Sequence, residues 1–165
     1  MKFTALIGVL VFILTASVAG ASGNHAGGHG DSAVIGQPGK PEKVTRTVTV
    51  DMSDAMRFTP SSINVIQGET LRFMVKNSGK LTHEMVLGTE KELQEHYELM
   101  KKFPEMEHAD ENMVTVKPGA TGEIVWQFTK AGTIHFGCLV PGHYEAGMKG
   151  SVKVTARKAK PTHKQ

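Results

Sequence analysis

A loop near the carboxyl end of the chain carries three side chains that can bind a soft metal ion. Cys138, His143 and Met148 follow one another at even spacing and offer a thiolate, an imidazole and a thioether. Pro141-Gly142 and Gly147 let the backbone turn, so these side chains can converge on one point. A soft sulfur, a borderline nitrogen and a weak thioether suit copper that is held as both Cu(I) and Cu(II).

Cys138 is the single cysteine of the 165-residue chain. The start of the chain has the pattern of a secretory signal peptide: Met1-Lys2, an apolar stretch over residues 3–18 and the small residues Ala19-Gly20-Ala21. An oxidising compartment favours paired cysteines, and Cys138 has no partner within the chain. The thiol is therefore either buried and inert, joined to another molecule, or bound to a metal.

A second imidazole is expected from a different strand, because one loop cannot surround the ion. His83 is the best candidate, since it follows a turn at Asn77-Ser78-Gly79 and begins an apolar strand. Apolar residues alternate in the run that ends at Cys138, so the thiol points inward, whereas His135 points outward and is not expected to be a ligand. Zinc fits this set less well, because it prefers four good ligands and gains little from a long axial thioether.

Short strands separated by turn signals account for most of the chain after residue 43. Leu71, Phe73 and Val75, for example, alternate with other residues in the period-2 pattern of a strand with one buried face. Strands are predicted over residues 44–52, 62–65, 71–75, 83–87, 113–116, 124–128, 133–138 and 149–154. About seven or eight strands of this kind predict an all-β sandwich.

One helix is predicted as an insertion between two strands. Thr89 can cap its first turn, and Glu92 completes a capping box three residues later. Apolar residues recur at helical spacing from Leu93 to Met100, and Pro104 bounds the far end.

Two stretches of the chain resemble the plastocyanin/azurin-type cupredoxins. The first, from Phe58-Thr59-Pro60 through Gly68-Glu69 to His83, resembles the first half of that family, and the Cys-x4-His-x4-Met loop resembles the second half. The resemblance covers residues 43–155 and implies a Greek-key sandwich with copper at one end. It also implies three strong ligands and one weak axial ligand: His83, Cys138, His143 and Met148.

The run from His83 to Gly88, a His-bearing leader and a Met-rich middle resemble the periplasmic copper-tolerance cupredoxins of the CopI type. The small electron carriers of the family usually have Asn or Ser after the first ligand histidine and a hydroxyl residue after the cysteine, which tie the two loops together. Glu84 and Leu139 occupy these positions here. The sequence therefore predicts that this tie is missing, which affects the stiffness and potential of the site.

Secondary copper sites are predicted in two segments that lie apart from the main loop. His25 and His29 could hold Cu(II) near the mature amino terminus, although a polar linker that contains two histidines is the simpler explanation. Thioethers and imidazoles in the middle of the chain favour Cu(I). The simpler explanation for Met100 is that it belongs to the buried face of the helix. These candidates are Met100, Met106, His108 and Met113.

Four segments are predicted: a signal peptide over residues 1–21, a flexible Gly/His-rich leader over 22–42, a cupredoxin domain over 43–155 and a basic tail over 156–165. A membrane anchor is the alternative for the start, but the apolar run is short for a span and no basic cluster follows it. We expect an exported, periplasmic protein with no stable membrane insertion after cleavage. No aromatic-basic pattern suggests nucleic acid.

Two functions fit these features. In the first, the protein binds excess periplasmic copper in a redox-active Cu(I)/Cu(II) site and acts in copper homeostasis, with copper ions and a periplasmic redox or copper-handling protein as partners. In the second, it is a dedicated one-electron carrier, because a type 1 (blue-copper) site changes little between oxidation states. A multicopper enzyme is not expected, because the chain has no His-x-His pair and is short for several domains.

Overall fold

The computed structural model describes residues 36–104, 106 and 109–158, which form a sandwich of two five-stranded sheets with one α-helix. The strands are β1 (Gln37–Pro38), β2 (Arg46–Ser53), β3 (Arg57–Thr59), β4 (Ser62–Ile66), β5 (Thr70–Asn77), β6 (His83–Gly88), β7 (Met113–Val116), β8 (Thr121–Gln127), β9 (Gly132–Gly137) and β10 (Lys149–Thr155). The helix, α1 (Glu90–Lys102), lies between β6 and β7, and a 3-10 helix (Pro41–Lys43) precedes β2.

The strand orders are β1-β8-β5-β2-β3 in one sheet and β4-β10-β9-β6-β7 in the other. The pairs β2–β5 and β4–β10 are parallel and the other pairs are antiparallel. Alternate residues of each sheet face a shared core; Leu71, Phe73 and Val75 of β5 are fully buried there, as their spacing predicts. The predicted β-sandwich with one inserted helix is confirmed.

The structure has more strands than predicted, and one of them lies in the segment that was expected to be a flexible leader. Gln37 pairs with Gln127 and Pro38 pairs with Trp126, so β1 extends one sheet at its edge. A strand this short has no alternation to detect, and its proline is tolerated only because the strand is at an edge. Ordered structure therefore begins before residue 43. Residues 1–35 and 159–165, with the predicted signal peptide and most of the tail, lie outside the described residues.

Helix α1 begins as predicted, because Thr89 and Glu92 form a reciprocal capping box. Its buried face packs against β6 and β9 and forms a second, smaller core beside the main one. The members of this second core are Val86, Leu93, Tyr97, Met100, Met113, Leu139 and Tyr144. Two of them, Leu139 and Tyr144, belong to the loop that carries the predicted metal ligands, so the helix supports that loop. Among residues 36–104, 106 and 109–158, no helix has the length and apolar character needed to cross a membrane.

Candidate metal centre

His83 is the first residue of β6, and its side chain is fully buried. Every residue of β6 is buried, because the strand lies between β7 and β9 in its sheet and packs against α1. Both β6 and β10 pair with β9 near its last residue, Gly137. The strand β6 therefore holds His83 at the same end of the sandwich as the β9–β10 connection.

The β9–β10 connection is a closed loop with Cys138 at its start and Met148 at its end. The Cys138 N–H donates to the Met148 carbonyl at 3.1 Å, and the Met148 N–H donates to the His143 carbonyl at 3.1 Å. Gly142 and Gly147 have φ values of 87° and 93°, which favour glycine and allow the two tight turns of the loop. The backbone therefore brings the three loop positions close together, as the glycine and proline pattern indicated.

Three predicted ligands converge: the ligand atoms of His83, Cys138 and His143 lie within 4.8 Å of one another. His83 Nδ1 is 3.2 Å from His143 Nδ1, and that nitrogen is 3.4 Å from Cys138 Sγ. Two ligand atoms that are each about 2 Å from one ion lie about 3.3 Å apart at a tetrahedral angle. The spacing thus fits one shared metal ion. The fourth predicted ligand, Met148, is fully buried in the same core cluster as Cys138.

Burial also sets the protonation of the donors. Burial raises the pKa of the Cys138 thiol to about 12, although the backbone N–H groups of Glu84 and Val140 partly oppose the shift. Burial, followed by the charge of His83, lowers the pKa of His143. Without a metal the sulfur therefore keeps its proton at neutral pH, while the imidazole of His143 is a neutral donor. A metal cation supplies the positive charge that makes a buried thiolate favourable.

Glu84 joins the two ligand-bearing segments, which corrects the expectation that this tie is missing. Its backbone N–H donates to Cys138 Sγ at 3.4 Å, and its Oε1 accepts a hydrogen bond from the Leu139 N–H at 2.9 Å. Glu84 is only 5% exposed. The expectation was wrong because the partner on the cysteine side is a backbone N–H, which every residue except proline supplies.

Asp54 was not predicted, and it contacts His83 from the opposite side. Its Oδ1 lies 3.0 Å from His83 Nε2, the ring nitrogen that points away from the cluster. The N–H groups of Lys80 and Leu81 also donate to this carboxylate, and these bonds, the Lys80 bond above all, lower the pKa of Asp54. An aspartate in a turn is usually solvated, and this one lies 29 residues from its partner, so the sequence gives no signal of the contact.

The family model for copper-binding proteins of the plastocyanin/azurin family matches residues 44–155. The chain belongs to the plastocyanin/azurin family. Membership places it among copper-binding proteins rather than enzymes, as the sequence predicted. The donor set, the spacing and the buried thiol described above fit a copper ion.

Relatives in this family are similar over most of their length. The copper-resistant cuproprotein CopI of Rubrivivax gelatinosus is 54% identical over 132 residues, which are 79% of this chain and 80% of that protein. The protein of the same name from Pseudomonas aeruginosa is 35% identical over an alignment of 164 positions, which covers 82% of this chain and 89% of that protein. The solved structure of auracyanin B has a TM-score of 0.61 at 23% identity, and the match covers 73% of this chain and 96% of auracyanin B. The last likeness concerns the fold alone.

Of the predicted secondary ligands of this plastocyanin/azurin family member, three methionines lie among the described residues. Met100 and Met113 lie in the second core, whereas Met106 is 42% exposed. His25, His29 and His108 lie outside the described residues. Within the described part of the chain, the cluster of His83, Cys138 and His143 is the only group of three or more His, Cys, Asp or Glu residues with metal-binding spacing.

Proposed function

We propose that the chain binds one copper ion in a type 1 site and acts in periplasmic copper tolerance. In this site His83, Cys138 and His143 are the strong ligands and Met148 is the weak axial one. The observation that carries the proposal is the convergence of two Nδ1 atoms on one buried sulfur, within 4.8 Å. Thiolate and imidazole in a three-coordinate set with a distant thioether are the donors of blue-copper sites.

Copper supplies one-electron chemistry and can bind as Cu(I) or Cu(II). The chain holds the donors so that little has to move between these states. Two backbone hydrogen bonds close the loop from Cys138 to Met148, and Glu84 links that loop to β6. Burial of His83 and of the Cys138 sulfur excludes water from these two donors. These features support a site that retains copper in both oxidation states.

Copper tolerance is supported by the names of the relatives, which are copper-resistant cuproproteins. The amino-terminal sequence supports export. We propose a signal peptide over residues 1–21, a leader over residues 22–42 that contains strand β1, and a basic tail over residues 156–165. Excess copper in the periplasm is then the ligand, and a periplasmic redox or copper-handling protein is the partner.

Spectroscopy of the copper-loaded protein tests the site. A strong thiolate-to-copper absorption band and a type 1 EPR spectrum are expected, and Cys138→Ser should abolish both. His135→Ala is the matched control, because it removes an imidazole from β9 outside the cluster and should leave both signals intact. A band that survives in Cys138→Ser would overturn the ligand assignment.

Growth of a deletion strain on copper tests the role. The wild-type gene should restore tolerance and Cys138→Ser should not, whereas His135→Ala should behave as the wild type. Unchanged copper sensitivity after deletion, together with a normal type 1 spectrum of the purified protein, would reject tolerance while keeping the site.

The partial exposure of His143 favours one alternative, a diffusible electron carrier. His143 is half-buried and Pro141 beside it is exposed, so an imidazole of the site reaches the surface where a redox partner can dock. Rapid electron exchange with a periplasmic cytochrome, in a strain whose copper tolerance does not depend on the protein, would support the carrier. Slow exchange with every periplasmic cytochrome tested would reject it.

A further inference from the structure

Asp54 lies in the turn between β2 and β3 and contacts the outer ring nitrogen of His83. Asp54 Oδ1 is 3.0 Å from His83 Nε2. Because His83 has no exposed surface, this nitrogen cannot rely on water, and an unpaired buried polar group would be costly. The contact therefore satisfies a buried ring nitrogen, which an ordinary surface ion pair does not do, although 36% of the Asp54 side chain is exposed.

The segment that leads into β6 holds the carboxylate of Asp54 in place. The Lys80 N–H donates to Oδ2 at 2.7 Å, and the Leu81 N–H donates to Oδ1 at 3.2 Å. Gly79 leaves the space for this approach, because a Cβ at that position would collide with Asp54 Oδ1. Two backbone N–H donors from one short segment thus fix both oxygens of the carboxylate relative to His83.

This arrangement determines which nitrogen of His83 is available to a metal. The carboxylate accepts the hydrogen of Nε2, so Nδ1 is the nitrogen with a free lone pair. Nδ1 is also the atom that faces the cluster, 3.2 Å from His143 Nδ1. Carboxylate–histidine–metal chains of this kind fix the tautomer and orientation of the ring and make it a stronger ligand.

We propose that Asp54 is a positioning residue of the copper site, which orients His83 and stabilises Cu(II) more than Cu(I). The inference rests on the proposed role of His83 as a copper ligand. A negative charge one imidazole away from the ion favours the higher charge state, and the more basic ring favours it further. Asp54 itself does not touch the ion.

Asp51 provides a matched control for the charge and for the loop. It lies in β2, three residues before Asp54, and its Oδ2 accepts a hydrogen bond from Ser78 Oγ at 2.6 Å. Asp51→Asn therefore removes one negative charge and weakens one anchor of the same loop, but it does not alter the contact with His83. Asp54→Asn keeps the size of the side chain and removes the charged acceptor.

The experiment compares the wild type, Asp54→Asn and Asp51→Asn by copper competition and by nitrogen NMR of the histidines. Asp54→Asn should lose about ten times more affinity for Cu(II) than for Cu(I), which is a rise in reduction potential of about 59 mV. Asp51→Asn should shift both affinities equally. In the Cu(I) form, the protected Nε2–H signal of His83 should be present in the wild type and in Asp51→Asn, and it should exchange rapidly in Asp54→Asn.

Equal effects of the two substitutions on the ratio of affinities, with an unchanged His83 tautomer, would overturn the inference and leave Asp54 as a loop anchor. Far-ultraviolet circular dichroism identifies a variant that fails to fold. In that event the wild type decides alone, and the absence of a protected Nε2–H signal from its His83 would overturn the inference. A wild type without the thiolate-to-copper band would instead refute the proposed function, so the two failures are distinguishable.

Discussion

Replacing Glu84 separates the hydrogen bond that it accepts from the charge that it carries. Glu84→Met removes the acceptor and fills the space with an apolar chain, whereas Glu84→Gln is also uncharged but retains an oxygen that can accept from the Leu139 N–H. The comparison of these two variants isolates the bond of 2.9 Å. A comparison of Glu84→Met with the wild type would combine two contributions to the free energy of unfolding, namely the loss of the hydrogen bond and the removal of a buried carboxylate.

The magnitude follows from burial. Leu139 is fully buried, so its N–H has no access to water when the acceptor is lost. A buried donor left unpaired costs about 1–3 kcal/mol. Glu84→Met should therefore have a free energy of unfolding about 1–3 kcal/mol below that of Glu84→Gln. For a domain of this size the melting temperature should differ by about 4–12 °C.

Urea unfolding of the metal-free variants, followed by tryptophan fluorescence, measures the difference directly. The same pair should differ in copper retention, because the bond ties the residue after Cys138 to the strand of His83. Faster copper release to a chelator is expected for Glu84→Met than for Glu84→Gln. Equal midpoints and equal release rates would refute the argument that this carboxylate ties the two segments together.

Copper binding near pH 7 should release close to one proton from Cys138, because burial raises the pKa of the thiol to about 12 and the bound form is a thiolate. As the pH rises in this range, deprotonation of the thiol should raise the apparent affinity for copper about tenfold per pH unit. Calorimetry of copper binding in two buffers of different ionisation enthalpy measures the number of protons released. A release of no proton would contradict the burial argument. Tyr97→Phe should lower the free energy of unfolding by about 0.5–1.5 kcal/mol, because the hydroxyl accepts from the Gly142 N–H at 3.0 Å. Urea titration checks this, and an unchanged midpoint would show that water replaces the hydroxyl. Gly79→Ala should weaken copper retention, because the added Cβ displaces the Asp54 carboxylate. Chelator competition measures the retention, and a wild-type value would contradict the close approach of Asp54 to Gly79.

The parts of the site that depend on local sequence were predictable. Cys138, His143 and Met148 lie in one loop whose glycines allow closure, and alternation in β9 indicated the inward direction of the thiol. The capping box of α1 is likewise a local pattern. These features can be recognised because the residues that cause them are a few positions apart.

The parts that depend on pairing between distant segments were not predictable. Asp54 has the sequence context of an ordinary solvated turn, and only the fold brings it to His83. The bond that Glu84 accepts comes from a backbone N–H that carries no residue-type signal. Strand β1 was missed for the same reason, because a two-residue strand is stabilised by its partner β8 rather than by its own pattern.

The second core has a kinetic consequence for the metal. Leu139 and Tyr144 pack with residues of α1, and Tyr97 of that helix also holds the loop at Gly142. We therefore expect the loop that covers the site to open together with the helix rather than alone. Exit of a bound ion should require the helix to separate from the sandwich, so release should be slow and as sensitive to temperature as partial unfolding. The amide hydrogens of the helix and of the loop should then exchange with solvent together.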